Sequence, residues 1–158
     1  MITTAPHVET AASLERYAES LRQIALQLAS LGVRVHAAAG EPAGSSVYAG
    51  IRADLKDTIR DFARIGTEGF QALLWLPGGA DPLAWKAQEF TGRASELHTS
   101  WEWVGFIPTP GVKDPWEFGF TSADHVAEAV WTDLVRQAGD TLELSRSVDS
   151  LAMRVGEQ

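Results

Sequence analysis

The chain has 158 residues, 45% hydrophobic and 22% charged, a globular balance in a length that fits one domain with its own core. It contains no cysteine, which excludes disulfides, thiol catalysis and cysteine metal sites and favours a reducing compartment. The formal net charge of −8 argues against direct nucleic-acid binding, which relies on clustered lysine and arginine.

Residues 1–9 read as a frayed lead-in to a single globular domain spanning 1–158, without the basic-then-apolar pattern of a secretory signal. Leu14, Tyr17, Leu21, Ile24, Leu28 and Leu31 recur at spacings of three and four, so the first element is an amphipathic helix that Gly32 ends. The alternation in Val33-Arg34-Val35-His36-Ala37 then predicts a strand over 33–38. Gly40 to Ser46 forms a loop. The stripe Val47, Ile51, Leu55, Ile59 and Phe62 marks a second helix, capped by Ser45 or Ser46 and closed by Gly66.

The apolar run "FQALLWL" predicts a buried strand over 70–76, although periodicity alone cannot separate it from a core helix in a mostly helical domain. "PGGADP" turns the chain. Asp81 caps a third helix with Pro82 at its first position and Leu83, Ala87, Phe90, Ala94 and Leu97 on its apolar face. "WEWVGF" and "WEFGF" alternate aromatic and acidic residues, which predicts paired strands over 101–107 and 116–120. A fourth helix carries Val126, Val130 and Leu134 and stops at Gly139. A fifth strand covers 141–146, and Val148, Leu151 and Val155 suggest a short terminal helix. The fold class is therefore α/β or α+β: a single mixed sheet of about five strands with helices packed on it.

The charge is unevenly placed. Residues 1–66 carry seven Lys/Arg and seven Asp/Glu, whereas 67–158 carry six and fourteen. Within 96–133, Glu96, Glu102, Asp114, Glu117, Asp124, Glu128 and Asp133 face only Lys113. Indole faces attract cations, and exposed acids steer a basic partner. The leading expectation is a non-enzymatic interaction module of adaptor, chaperone or immunity type. It would bind a basic protein or cationic ligand through Trp101, Glu102, Trp103, Asp114, Trp116 and Glu117. Burial under helices is the competing use of the same aromatics.

The alternative is a small-molecule site or enzyme where the loops 40–46, 77–81 and 108–115 would meet at the carboxyl ends of parallel strands. It would be lined by Ser45, Ser46, Gly78, Gly79, Asp81 and Lys113, with Asp114 beside them. Asp81 would act as acid/base and Lys113 as an electrostatic anchor.

No phosphate-loop, dinucleotide or nucleophile-elbow pattern occurs, and His7, His36, His98 and His125 lack metal-ligand spacing, so no metal or cofactor is expected. His98 and Glu102 need not share a face if helix gives way to strand between them. The charged face of helix two reads as solvated i,i+3 pairs. Homodimerisation through the helix-one stripe is possible but short for a coiled coil. The longest apolar run, Ala72 to Leu76, is far below the ~20 residues of a membrane span. A soluble, cytoplasmic protein is expected.

Overall fold

The computed structural model describes residues 6–38, 46–74, 81–104 and 123–156. They form five helices: α1 Pro6–Ala37, α2 Ser46–Leu74, α3 Asp81–Gly92, α4 Ala94–Val104 and α5 Ala123–Gly156. There is no strand among them, so the mixed sheet is overturned and the fold is a helical bundle. Of the five expected strands, 33–38, 70–74, 101–104 and 141–146 are helical or close a helix, while 105–107 and 116–120 lie outside the described residues.

Cross-helix contacts set the directions. Tyr48 Oη donates to the Ala38 carbonyl, Arg34 pairs with Asp54 and Thr58 donates to Gln27, so α1 and α2 run antiparallel. Ser145 donates to the Ala18 carbonyl, while Gly32 lies against Val135 and Gly156 against Ala11, so α1 and α5 are also antiparallel. Phe90 stacks on Phe62 and Trp101 bonds to the Arg52 carbonyl, placing α3 and α4 as one interrupted helix against α2. Arg93–Asp140 and Ser100–Asp133 set α4 antiparallel to α5. The arrangement is an up-down-up-down four-helix bundle with its third member broken at Gly92–Arg93.

The interior follows a three-four spacing throughout, the pattern of helices crossing at shallow angles. On α1 the buried stripe runs Leu14, Tyr17, Leu21, Ile24, Leu28, Leu31, Val35 and Ala38. Gly32 therefore does not end it, and the strand at 33–38 fails for a clear reason. A strand would put Val33 and Val35 on one face; here Val35 is fully buried and Val33 faces solvent. On α2 the buried stripe is Tyr48, Ile51, Leu55, Thr58, Phe62, Ile65, Gly69 and Leu73. It passes Gly66 without stopping, and "FQALL" becomes the helix end that the alternative allowed. The expected Val47 is exposed instead.

On α5 the stripe crosses Gly139 through three polar core positions, each of which donates a hydrogen bond, while Gln137 Oε1 is buried with no partner. Gln137 donates to Glu96, Thr141 to the Gln137 carbonyl and Ser145 to the Ala18 carbonyl. These polar positions broke the apolar pattern in the sequence, and the residue alternation in "TLELS" then imitated a strand. In a helix, Leu144 is buried while Leu142 lies at the edge.

The α1–α5 interface is the most extensive in the bundle. Ala11, Ala18 and Ala25 on α1 and Ala138, Ser145 and Ala152 on α5 are buried and each recur every seven residues, with Gly32 continuing the α1 row. Ser145 bonded to Ala18 sets the register and brings Ala25 level with Ala138. Small residues let the backbones approach, and Gly32 admits the larger Trp131. A Cβ at Gly32 would stand 3.2 Å from Val135 Cγ2 and 3.5 Å from Trp131 Cδ1. By contrast, the α4–α5 seam is polar: Arg93–Asp140 at 2.6 Å, Arg136 held by Asp133 at 2.6 Å and by Glu96 at 3.4 Å.

Candidate interaction surface

Of the site residues expected from the sequence, Ser46, Asp81, Trp101, Glu102 and Trp103 are among the described residues. Trp101, Glu102 and Trp103 lie on α4, where two residues subtend about 200°, so the two indoles do not share a face as they would on a strand. The physical reason is the change of period from two to 3.6. Asp114, Trp116, Glu117 and Lys113 lie outside the described residues, as do Ser45, Gly78 and Gly79. Ser46 opens α2 while Asp81 opens α3 beyond the far end of α2, about 42 Å of helix away. The expected carboxyl edge of parallel strands has no counterpart among the described residues.

Trp101 is partly buried and already has a cation. The Arg52 guanidinium carbon stands 4.0 Å from its ring centroid and Lys56 Nζ 5.7 Å. Its Nε1 donates to the Arg52 carbonyl at 3.0 Å, and His98 lies tilted at 5.2 Å. Arg52 thus occupies a ring face that a partner's cation would use, and the neighbourhood of this indole carries more positive than negative groups. Arg52 and Lys56 stand 49 and 45 positions before Trp101 in the chain, so no local reading of residues 96–133 finds them. His98 and Glu102, which need not have shared a face had a strand begun between them, sit on one helix face with Nδ1 and Oε1 3.5 Å apart.

The other acids of that region divide. Glu96 and Asp133 are engaged by Arg136, with Gln137 and Ser100 adding hydrogen bonds. The hydrogen bonds that Arg136 donates, to Asp133 first and also to Glu96, hold its guanidinium above its usual range. Glu102 and Glu128 are exposed and meet no lysine or arginine among the described residues. The α2 charges are the solvated pairs anticipated, Asp57–Arg60 and Asp61–Arg64, with Glu68 joining Arg64.

Grooves cross the surface of the described residues. Between α3 and α5, Lys86, Glu89, Arg93, Asp140 and Glu143 ring an apolar floor of Phe90 and Leu144, enclosing about 150 Å³. Between α1 and α2, Ser13, Arg16, Tyr17, Ser20, Glu68 and Gly69 line a more open one. Tyr17 fills the space left by the missing side chain of Gly69. Its hydroxyl is buried with no partner, and this burial raises its pKa well above the ordinary tyrosine value. Among the described residues no set of three or more His, Asp or Glu is placed to hold a metal, and no helix is long and apolar enough to cross a membrane.

Among the described residues, internal packing leaves unused an uncharged face across α1 and α5. From Gln23 to Val33, α1 has no charged residue. Its outward stripe Leu26, Ser30, Val33 and Ala37 is exposed, with Leu26 at 53% and Val33 at 61%. Beside it, α5 presents Thr132, Val135 at 44% exposure, Gly139 and the edge of Leu142. The charged residues of that α5 stretch, Asp133, Arg136 and Asp140, all turn to α4. Val135 reaches Gly32, and Trp131 stacks on His36 at 4.7 Å, so the two stripes form one continuous surface. The sequence contained the signal, a run of eleven uncharged residues with Val33 out of phase with the core stripe. Reading Val33 as strand concealed it.

No family model, no curated protein and no solved structure matches this chain.

Proposed function

We propose that this protein is a non-enzymatic interaction module of the cytoplasm that engages a protein partner through the outer α1–α5 face. The observation that carries the reading is the uncharged stripe pair. Monomeric soluble proteins rarely leave contiguous apolar surface exposed, and the centres of protein interfaces are depleted of charge. Here Leu26, Val33 and Val135 stand exposed on a chain of net charge −8. The rigid floor beneath, made by the small-residue rows of α1 and α5, holds the stripe in register.

The test is a photo-crosslinking residue placed at position 26, 33 or 135 in living cells. A discrete crosslinked protein species from these positions, absent when the residue sits at Arg60, is the expected result. Absence of any discrete species from all three positions refutes the reading.

The second reading keeps a basic partner, favoured by exposed Glu102 and Glu128, neither of which is paired with a lysine or arginine among the described residues. Its binding would weaken with salt, and Glu102→Lys with Glu117→Lys would remove it. Retention of the partner by that double variant sinks it.

A further inference from the structure

We infer that Arg52 and Lys56 on α2, mounted on the Trp101 ring of α4, form a binding site for a phosphoryl group, a compact dianion; the site is separate from the α1–α5 face and does not rest on it. Arg52 and Lys56 stand one turn apart on α2, where two like charges destabilise a helix unless a counter-charge meets them. Farther along the same helix the cations are met: Arg60 pairs with Asp57, and Arg64 with Asp61 and Glu68. Neither Arg52 nor Lys56 is paired with a carboxylate among the described residues. The acids near them in the chain or on the ring's own helix are turned elsewhere, Asp54 to Arg34, Asp57 to Arg60 and Glu102 to His98.

The indole holds both cations in place. Arg52 Cζ lies 4.0 Å and Lys56 Nζ 5.7 Å from its centroid, both inside the ~6 Å reach of a cation–π contact. Trp101 Nε1 donates to the Arg52 carbonyl at 3.0 Å, which ties the ring to the same turn of α2 as the guanidinium it carries. Arg52 Nε is buried and makes no hydrogen bond. The side chain is only partly buried as a whole, and its Nη groups make no hydrogen bond among the described residues, so they offer a fork for two oxygens. Exposed Lys56 adds a point charge beside that fork. Stacking restrains the guanidinium beforehand, so less freedom is lost when an anion arrives. The charge count selects the ligand class. Two cations match a phosphoryl group, which carries about −1.5 to −2 at neutral pH, better than a single carboxylate. The net charge of −8 opposes nucleic acid or a long acidic segment, whose charge would run past the site.

The test is proton–nitrogen correlation NMR on the full chain, following the Trp101 indole N–H, assigned by its loss in Trp101→Phe. Inorganic phosphate replaces sodium chloride at constant ionic strength near pH 7.5, above the second phosphate pKa of about 6. A saturable shift with dissociation on the order of 1 mM is expected, the range that two charge-assisted hydrogen bonds supply. Lys56→Gln, at an exposed position, and Arg52→Lys, which keeps the charge and loses the fork, should each weaken binding about tenfold while circular dichroism stays that of the parent. Acetate, a monoanion, should bind at least about tenfold more weakly than phosphate. A phosphoserine peptide with neutral flanks separates the sources: tighter binding than inorganic phosphate assigns the site to a phosphorylated protein, and equal or weaker binding assigns it to a small phosphorylated molecule. The absence of a saturable shift overturns the inference, as does acetate binding equal to phosphate, or phosphate binding untouched by both Lys56→Gln and Arg52→Lys. None of these outcomes bears on the crosslinking at 26, 33 or 135, so the two readings fail separately.

Discussion

Gly69 and Tyr17 offer the sharpest check on the packing. Gly69 occupies a core position of α2, the residue four after Ile65 and four before Leu73, and it has no side chain because the Tyr17 ring from α1 lies there. A Cβ built at Gly69 would fall on ring atoms Cε1, Cζ and Cδ1, well inside the 3.0 Å that real Cβ atoms keep. On an exposed helix Gly→Ala stabilises by about 1 kcal/mol. Here the ring must move. Forced overpacking costs about 1–3 kcal/mol, and complete eviction of an aromatic costs about 3–5 kcal/mol. The net expectation for Gly69→Ala is a loss of about 2–4 kcal/mol, opposite in sign to the propensity. In a Tyr17→Ala background the obstacle is gone, and Gly69→Ala should stabilise by up to about 1 kcal/mol. The coupling is then about 3 kcal/mol or more, far above the ~0.5 kcal/mol within which independent sites add. Urea unfolding followed at 222 nm, roughly the usual helical wavelength, on the four proteins of the cycle measures it directly. Additive effects, or a stabilised single Gly69→Ala, would refute the contact.

Three further expectations follow from individual groups. Tyr17→Phe removes a buried hydroxyl with no partner, so stability at neutral pH should hold or rise by about 1 kcal/mol. The Tyr17 pKa is raised above its ordinary 10.0 by desolvation, so its contribution is intact below pH 10.0 and lost as pH climbs above it. Alkaline denaturation curves of parent and Tyr17→Phe should therefore diverge only above that value, and parallel curves would contradict the burial. Ser145→Ala deletes the 2.6 Å bond to the Ala18 carbonyl and should cost about 1 kcal/mol, while Ser145→Leu should cost more by prising α1 from α5; equal effects would argue against the close approach. Glu19 accepts hydrogen bonds from Arg22 first and then Gln23, which lower its pKa to about 2. Carboxyl NMR titration should show Arg22→Ala returning it toward the ordinary carboxylate range, and an unmoved value would remove Arg22 as the cause.

Much of the bundle could be read locally. Leu14 to Leu31 announced α1 and Ala87 to Leu97 announced α3 and α4, because apolar residues at three-four spacing have few other uses. The errors came where two patterns overlapped. Val33-Arg34-Val35 satisfies a period of two and, through Val35 alone, the continuing heptad; five residues cannot decide between them. Glycine misled in the same way. Gly32, Gly66 and Gly139 look like stops, yet the helices run through them, since tertiary packing outweighs the roughly 1 kcal/mol that an internal glycine costs. Polar Gln137, Thr141 and Ser145 hid the α5 stripe: Gln137 and Ser145 find their partners Glu96 and Ala18 only in the folded neighbourhood, and Thr141 bonds back to its own helix.

The amino-acid order by itself determined helical phase, the absence of thiol chemistry and the uncharged run in α1, all properties of composition or of near neighbours along the chain. Only the tertiary structure decided which groups meet. It put Arg52 over Trp101, bound Glu96 to Arg136, inserted Tyr17 above Gly69 and set Val135 against Gly32. Each of these is a contact between residues 40 to 103 positions apart, and the energy of such contacts depends on distances that spacing along the chain does not encode.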